Sequence, residues 1–143
     1  MSLFGSMQVS ASGMAAQRMR AELLVENMAN SETTRTPEGG PYKRKDVVFS
    51  SEEQTSPFSA VFQNEIGTGV TVSDITVDQS PPELRYMPGH PDADANGYVA
   101  FPKMNPAEDM ADLLNATRSY EANVAAISSV KDMISRSIDI MRT

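Results

Sequence analysis

A chain of 143 residues with 40% hydrophobic and 22% charged residues is long enough for one ordinary domain, short for two, and too apolar to be disordered throughout. A formal net charge of −7 argues against nucleic acid, whose phosphates need a basic surface, and the absence of cysteine excludes disulfides and thiolate metal sites. No apolar run approaches the roughly 18 residues of a membrane span, and Met1 to Ser6 lack the basic region, apolar core and cleavage site of a secretory signal peptide.

In chain order, the first pattern is helical, from Ser6 to about Asn30. Met7, Ala11, Met14, Arg18, Ala21, Val25 and Met28 recur at alternating threes and fours. Gly13 costs such a helix about 1 kcal/mol relative to alanine, so the helix is marginal alone. With Ala11, Ala15 and Ala16, Gly13 lets another backbone come close. Asn30 suits a left-handed residue closing the helix.

Residues 31–42 carry Pro37, Gly39, Gly40 and Pro41 and break regular structure. Lys43 to Ser50 reads as a strand, with the basic run Lys43 to Lys45 as a solvated edge. Residues 51–60 read as loop and Val61-Phe62 as a short strand. Gly69 to Val77 is a stronger strand, whose apolar phase changes between Val72 and Ile75, the mark of a bulge or of a strand covered on both faces. Leu84 to Met87 and Tyr98 to Phe101 complete a small irregular antiparallel set punctuated by prolines.

Asp92-Ala93-Asp94-Ala95-Asn96-Gly97 matches the opening of a calcium-binding loop. Its twelfth position is Lys103, however, where a bidentate glutamate is required, and Pro88 and Pro91 leave no entering helix, so a metal-free turn is expected. His90 is the single histidine and lies in a loop. No nucleophile elbow, phosphate loop or isolated carboxylate pair is present, so the sequence reads as neither an enzyme nor a cofactor binder.

The last third is the strongest signal. Met110, Leu113, Thr117, Tyr120, Val124, Ile127, Lys131, Ile134, Ile138 and Met141 step by threes and fours, and eight of the ten are apolar. That spacing is a coiled-coil seam. Asn105 is placed to cap the helix, Pro106 to open it, and Glu108 to complete a capping box, while Glu108, Asp109 and Asp112 lie near its positive end. A second stripe, Leu114, Ala116, Ala126, Val130, Met133 and Ile140, makes either a broad apolar face of a globular-domain helix or a helix with partners on two sides. The fold class expected is α+β: two long terminal helices in an antiparallel coiled coil over residues 1–35 and 105–143, with a β-rich module of residues 36–104 inserted at their far end.

Ala11-Ser12-Gly13-Met14-Ala15-Ala16-Gln17, with Asn27-Met28-Ala29-Asn30 and Thr33-Thr34, resembles the N-terminal motif of the flagellar axial proteins of the rod and hook. Arg118-Ser119-Tyr120-Glu121-Ala122-Asn123 resembles their C-terminal motif. Arg35 to Lys45, and Pro88 to Asp94 continuing to Gly97-Tyr98-Val99, resemble a member from the proximal rod. The resemblance spans essentially the whole chain. It implies a subunit that leaves the cell through the flagellar type III export apparatus without a cleaved signal peptide. It further implies helical assembly across the periplasm with copies of itself and other rod proteins, no membrane insertion and no nucleic acid, in a rod that transmits motor torque.

The assembly interface is then expected at Met7, Ala11, Gly13, Met14, Ala21, Val25, Asn27, Met28 and Asn30 on the first helix. On the last helix it is expected at Leu113, Tyr120, Glu121, Asn123, Val124, Ile127, Ile134 and Ile138. Asn27, Glu121 and Asn123 are polar positions close to the seam, which either belong to solvated helix surface or fix the register of the seam. Two other readings stand beside this one, the first on the same two stripes. A soluble coiled-coil adaptor or secreted effector would form an oligomer of fixed size, and a calcium-responsive module would bind calcium through Asp92 to Gly97.

Overall fold

The structure, a computed structural model, describes residues 3–51 and 68–142; the strand expected at Val61-Phe62 lies outside the described residues. Helix α1 spans Leu3–Ala29, strands β1 and β2 span Lys45–Ser51 and Val70–Val77, β3 and β4 span Glu83–Tyr86 and Tyr98–Phe101, and helix α2 spans Pro106–Arg142. The two helices with a β-rich segment between them make the α+β architecture expected.

Helix α2 starts as its sequence requires. Asn105 Oδ1 accepts the Ala107 N–H at 3.1 Å, and Pro106 occupies the first turn, where no N–H is needed. The end of α1 differs from expectation. Among the described residues only glycines have positive φ, so Asn30 is not left-handed. Its side chain closes the helix instead, Nδ2 donating to the Glu26 carbonyl at 2.9 Å.

The helices run antiparallel and side by side. Arg20 meets Asp112 at 3.5 Å, while Gly13, closer to the start of α1, faces Asn123, farther along α2. At 27 and 37 residues they are about 40 and about 55 Å long. The buried face of α2 carries Asp109, Ala116 and Val130, flanked by half-buried Leu113, Asn123, Ile127 and Ile134. These positions also alternate by fours and threes around Tyr120. Leu113, Ile127 and Ile134 of the expected seam therefore face inward, whereas Met110, Val124 and Ile138 are exposed. Ala116 and Val130, assigned by the sequence to a second stripe, are core. On α1 the buried residues are Gly5, Ala16, Leu23, Leu24 and Asn27; of the expected stripe Ala11, Arg18 and Val25 are exposed.

The β segment is not one sheet. β1 pairs with β2, and β3 pairs with β4, each antiparallel. In the first pair Val48 opposes Asp74 but Phe49 opposes Val72, so Ser73 is an extra residue. This is a bulge, one of the two explanations that the change of phase offered. It restores parity, placing Val70, Val72, Ile75 and Val77 on one face with Val47 and Phe49.

The β1–β2 pair does not project from the far end of the helices but returns along α1. Lys45, at the start of β1, is bonded to Asn27, and Val70, paired with the last residue of β1, donates its N–H to Ser12 Oγ at 3.0 Å. The fifteen-residue helical interval between Ser12 and Asn27 spans about 22 Å, and six strand steps from Lys45 to Ser51 span about 20 Å, so strand and helix lengths match.

Candidate assembly surface

The surface available to neighbours is set by what holds the helices and strands together. At the joint where α1 ends and α2 begins, a polar cluster does this. Asn27 is fully buried and treats Lys45 as a strand would: Nδ2 donates to the Lys45 carbonyl at 2.8 Å, and Oδ1 accepts the Lys45 N–H at 3.0 Å. The Tyr42 hydroxyl donates to the same Oδ1 at 3.0 Å. Burial, with the negative charge of Glu26 next in effect, pushes the Tyr42 hydroxyl pKa up to about 12. Lys45 Nζ reaches Glu26 at 2.6 Å.

Arg44, just before β1, closes the cluster toward the other helix. Its Nη2 lies 3.0 Å from Oδ1 of Asp109, which is fully buried in the first turns of α2, and 3.5 Å from Asp46. Desolvation raises the Asp109 pKa, opposed by Arg44, and neither carboxylate oxygen has an aligned hydrogen-bond donor among the described residues. Arg44 and Lys45 thus turn inward to carboxylates, and of the basic run only Lys43 fits the solvated edge expected for all three.

The second half of the β segment is anchored separately. Thr34 Oγ1 donates to Asp92 Oδ2 at 2.8 Å, and Asp94 Oδ1 accepts the N–H groups of Asn96 and Tyr98 at 2.8 Å each. The Asp94 carboxylate thus serves a turn, the alternative to calcium ligation that the sequence offered, while Asp92 ties the loop to Thr34. His90 Nδ1 accepts the Asp92 N–H at 3.1 Å, and its ring lies 6.4 Å from that of Phe101.

The residues expected at the assembly interface fall into three groups. Asn27 is internal, and Gly13 touches Asn123 across the helix pair, a Cβ there lying 3.1 Å from Asn123 Nδ2. Met7, Met14, Ala21, Met28, Asn30, Leu113, Ile127 and Ile134 are half-buried. Ala11, Val25, Tyr120, Glu121, Val124 and Ile138 are exposed. The outer faces of the helices carry large apolar side chains in the open: Phe4 is 76% exposed, Leu114 56%, Ile140 75% and Met141 78%. The sequence reading missed Ser12, Tyr42, Arg44 and Asp109 as organising residues; the one available signal was Asp109, which keeps seam spacing with Leu113 and Ala116.

Residues 95–140 match the family model for the flagellar basal body rod FlgEFG protein C-terminal region. Over nearly their full lengths, the chain is also similar to curated rod proteins. It is 40% identical to the flagellar basal-body rod protein FlgC of Borreliella burgdorferi, with 99% of each chain covered. It is 41% identical to FlgC of Bacillus subtilis, covering 98% of this chain and 99% of that one. It is 34% identical to FlgC of Salmonella typhimurium, with 98% of each covered. Identity at this level across both helices and the β segment, and not the helical motifs alone, means that the chain belongs to the FlgC family of flagellar basal-body rod proteins.

Proposed function

We propose that this chain is a structural subunit of the bacterial flagellar basal-body rod, which assembles helically through its terminal helices and transmits motor torque across the periplasm. The observation that carries this reading is the row of exposed apolar residues on the outer side of a helix pair whose inner side is already filled. Covering such a row with neighbouring subunits stabilises an assembly by about 25 cal/mol for each Å² removed from water. The partners are copies of this chain and other rod proteins, and the route out is the flagellar type III export apparatus without cleavage of a signal. Residues 1–35 and 105–143 act as the axial helical domain, and residues 36–104 as the module carried on it. Its work is mechanical and involves no enzymatic step.

The test is complementation of cells lacking the native protein with Val124→Asp combined with Ile138→Asp. Both residues are exposed, so the chain still folds and is exported, while an unpaired carboxylate at a subunit contact opposes assembly. Completed rods are absent from isolated basal bodies and the cells do not swim. Normal swimming with this double variant would remove the outer face of α2 from the interface.

A further inference from the structure

Asn96 and Gly97 end loop 88–97 just before β4, and their adjacency has a chemical consequence. The backbone nitrogen of Gly97 can attack the Asn96 side-chain carbonyl carbon, because glycine places no Cβ in its way. The fold requires that glycine. Gly97 has φ of +82°, and a Cβ there would come 2.9 Å from Tyr86 Cε2, ring carbon against carbon in a T-shaped Tyr86–Tyr98 pair. Nothing comparable requires Asn96, which is exposed and whose side chain makes no hydrogen bond among the described residues.

We propose that Asn96 is a site of spontaneous deamidation whose rate is governed by the fold of this loop. The Gly97 N–H gives its proton to solvent, and the nitrogen adds to Asn96 Cγ. The Cγ–Nδ2 bond breaks, and ammonia leaves from a five-membered imide. Water then opens either imide C–N bond, giving aspartate at 96 or an isoaspartyl linkage, with one water consumed, one ammonia released and no change of oxidation state.

The folded loop holds this reaction back. The Gly97 N–H donates to the Asp94 carbonyl at 3.0 Å, which opposes loss of its proton, and the Asn96 N–H donates to Asp94 Oδ1 at 2.8 Å, which fixes the backbone on the other side of the reacting carbon. Reaction therefore proceeds through the opened loop, in proportion to how often it opens. Once formed, the isoaspartyl linkage inserts a methylene into the main chain just before Gly97, one residue ahead of Tyr98, whose N–H the same Asp94 oxygen holds at 2.8 Å, so the entry to β4 and its buried Val99 loosens.

Peptide mapping by mass spectrometry, with enzymatic methylation to count isoaspartate, tests this on the full chain held at pH 8 with and without urea. Deamidation at Asn96 is expected to be at least about tenfold faster in urea than in the folded chain, and raised in folded Asp94→Ala, which loses both side-chain anchors of the turn. Asn96→Gln abolishes the signal at this position. Equal rates in the folded chain and in urea would overturn the control by the fold, and no conversion of Asn96 in either condition would overturn the site. If Asp94→Ala fails to fold, the comparison of the native chain with and without urea still decides between these outcomes.

Discussion

Asn27 grips the backbone of Lys45 at both its N–H and its carbonyl, and thereby ties the first strand to the end of the first helix eighteen residues earlier. A carboxamide presents one donor and one acceptor at the spacing of a neighbouring peptide, so Asn27 acts as a single residue of strand set into a helix. The Tyr42 hydroxyl takes the second lone pair of Oδ1, and the buried carboxamide is left with no acceptor unused.

Removing that grip isolates three polar groups in a buried place. Asn27→Ala is expected to destabilise the chain by about 2 to 4 kcal/mol, since each buried group left unsatisfied costs about 1 to 3 kcal/mol and water will reach part of the gap. Asn27→Asp is expected to be worse, because it loses the donor to the Lys45 carbonyl and places a negative charge near Glu26. Urea unfolding measures the first effect, and hydrogen exchange at the Lys45 amide localises it. An Asn27→Ala variant with unchanged midpoint and unchanged protection at Lys45 would mean that the strand is held elsewhere.

Tyr42 predicts an alkaline transition. Its pKa is raised to about 12 in the folded chain by burial, so the folded state holds this proton more tightly than the unfolded state, whose tyrosine titrates near 10. The stabilisation is complete below about pH 10 and is lost as pH rises toward 12, an effect of about 2 to 3 kcal/mol. Lysines titrate in the same range, so the informative quantity is the difference between the native chain and Tyr42→Phe. Their stability difference should shrink or reverse between pH 10 and 12; a difference independent of pH across that window would show that the hydroxyl is not confined as described.

Both helix boundaries at the joint, the four described strands and the bulge were legible in the sequence, because each rests on local chemistry: the Asn105 cap, Pro106, alternation, and a change of phase. The seam was legible only by half. Leu113, Ile127 and Ile134 are apolar and stood out, but the alternate positions are Asp109, Ala116, Asn123 and Val130, of which two are polar and one is small. Met110 and Val124, apolar beside Asp109 and Asn123, draw the pattern one position along, although Thr117 and Lys131 then replace Ala116 and Val130. On α1 Gly13 and Arg20 meet α2 and carry no hydrophobic signal, so the more conspicuous methionines set the expected stripe. The course of β1–β2 along α1 depends on Asn27 with Lys45 and Ser12 with Val70, the latter 58 residues apart, and no periodicity records such pairs.

Loop 88–97 is expected to be indifferent to calcium. Asp94 Oδ1 already accepts two backbone N–H groups, and Asp92 Oδ2 the Thr34 hydroxyl, so ligation would have to break bonds that hold the turn. Isothermal titration with calcium should give no binding heat for the native chain or for Asp92→Ala with Asp94→Ala. A micromolar isotherm in the first that vanishes in the second would reverse the assignment.

The two faces of α2 separate folding from assembly. Val130 is buried, and a carboxylate there must enter the contact with α1 unpaired or force it open; Val130→Asp is expected to lower monomer stability by several kcal/mol, on the order of 3 to 5. Val124 lies outside that contact and is 42% exposed, so Val124→Asp should leave the unfolding free energy of the monomer in urea within about 0.5 kcal/mol of the native value. Its effect should appear instead in cells, as a folded and exported chain that fails to complete rods. Ile127 stands between the two classes, half-buried on the inner face, so Ile127→Asp should impair the monomer and the assembly together. The order of urea midpoints, Val124→Asp above Ile127→Asp above Val130→Asp, reads out the rotation of α2 about its axis. If Val124→Asp proves the least stable of the three, α2 meets α1 through the seam of Met110, Thr117 and Val124, and the outward face offered to neighbouring subunits is the one that carries Ala116 and Val130.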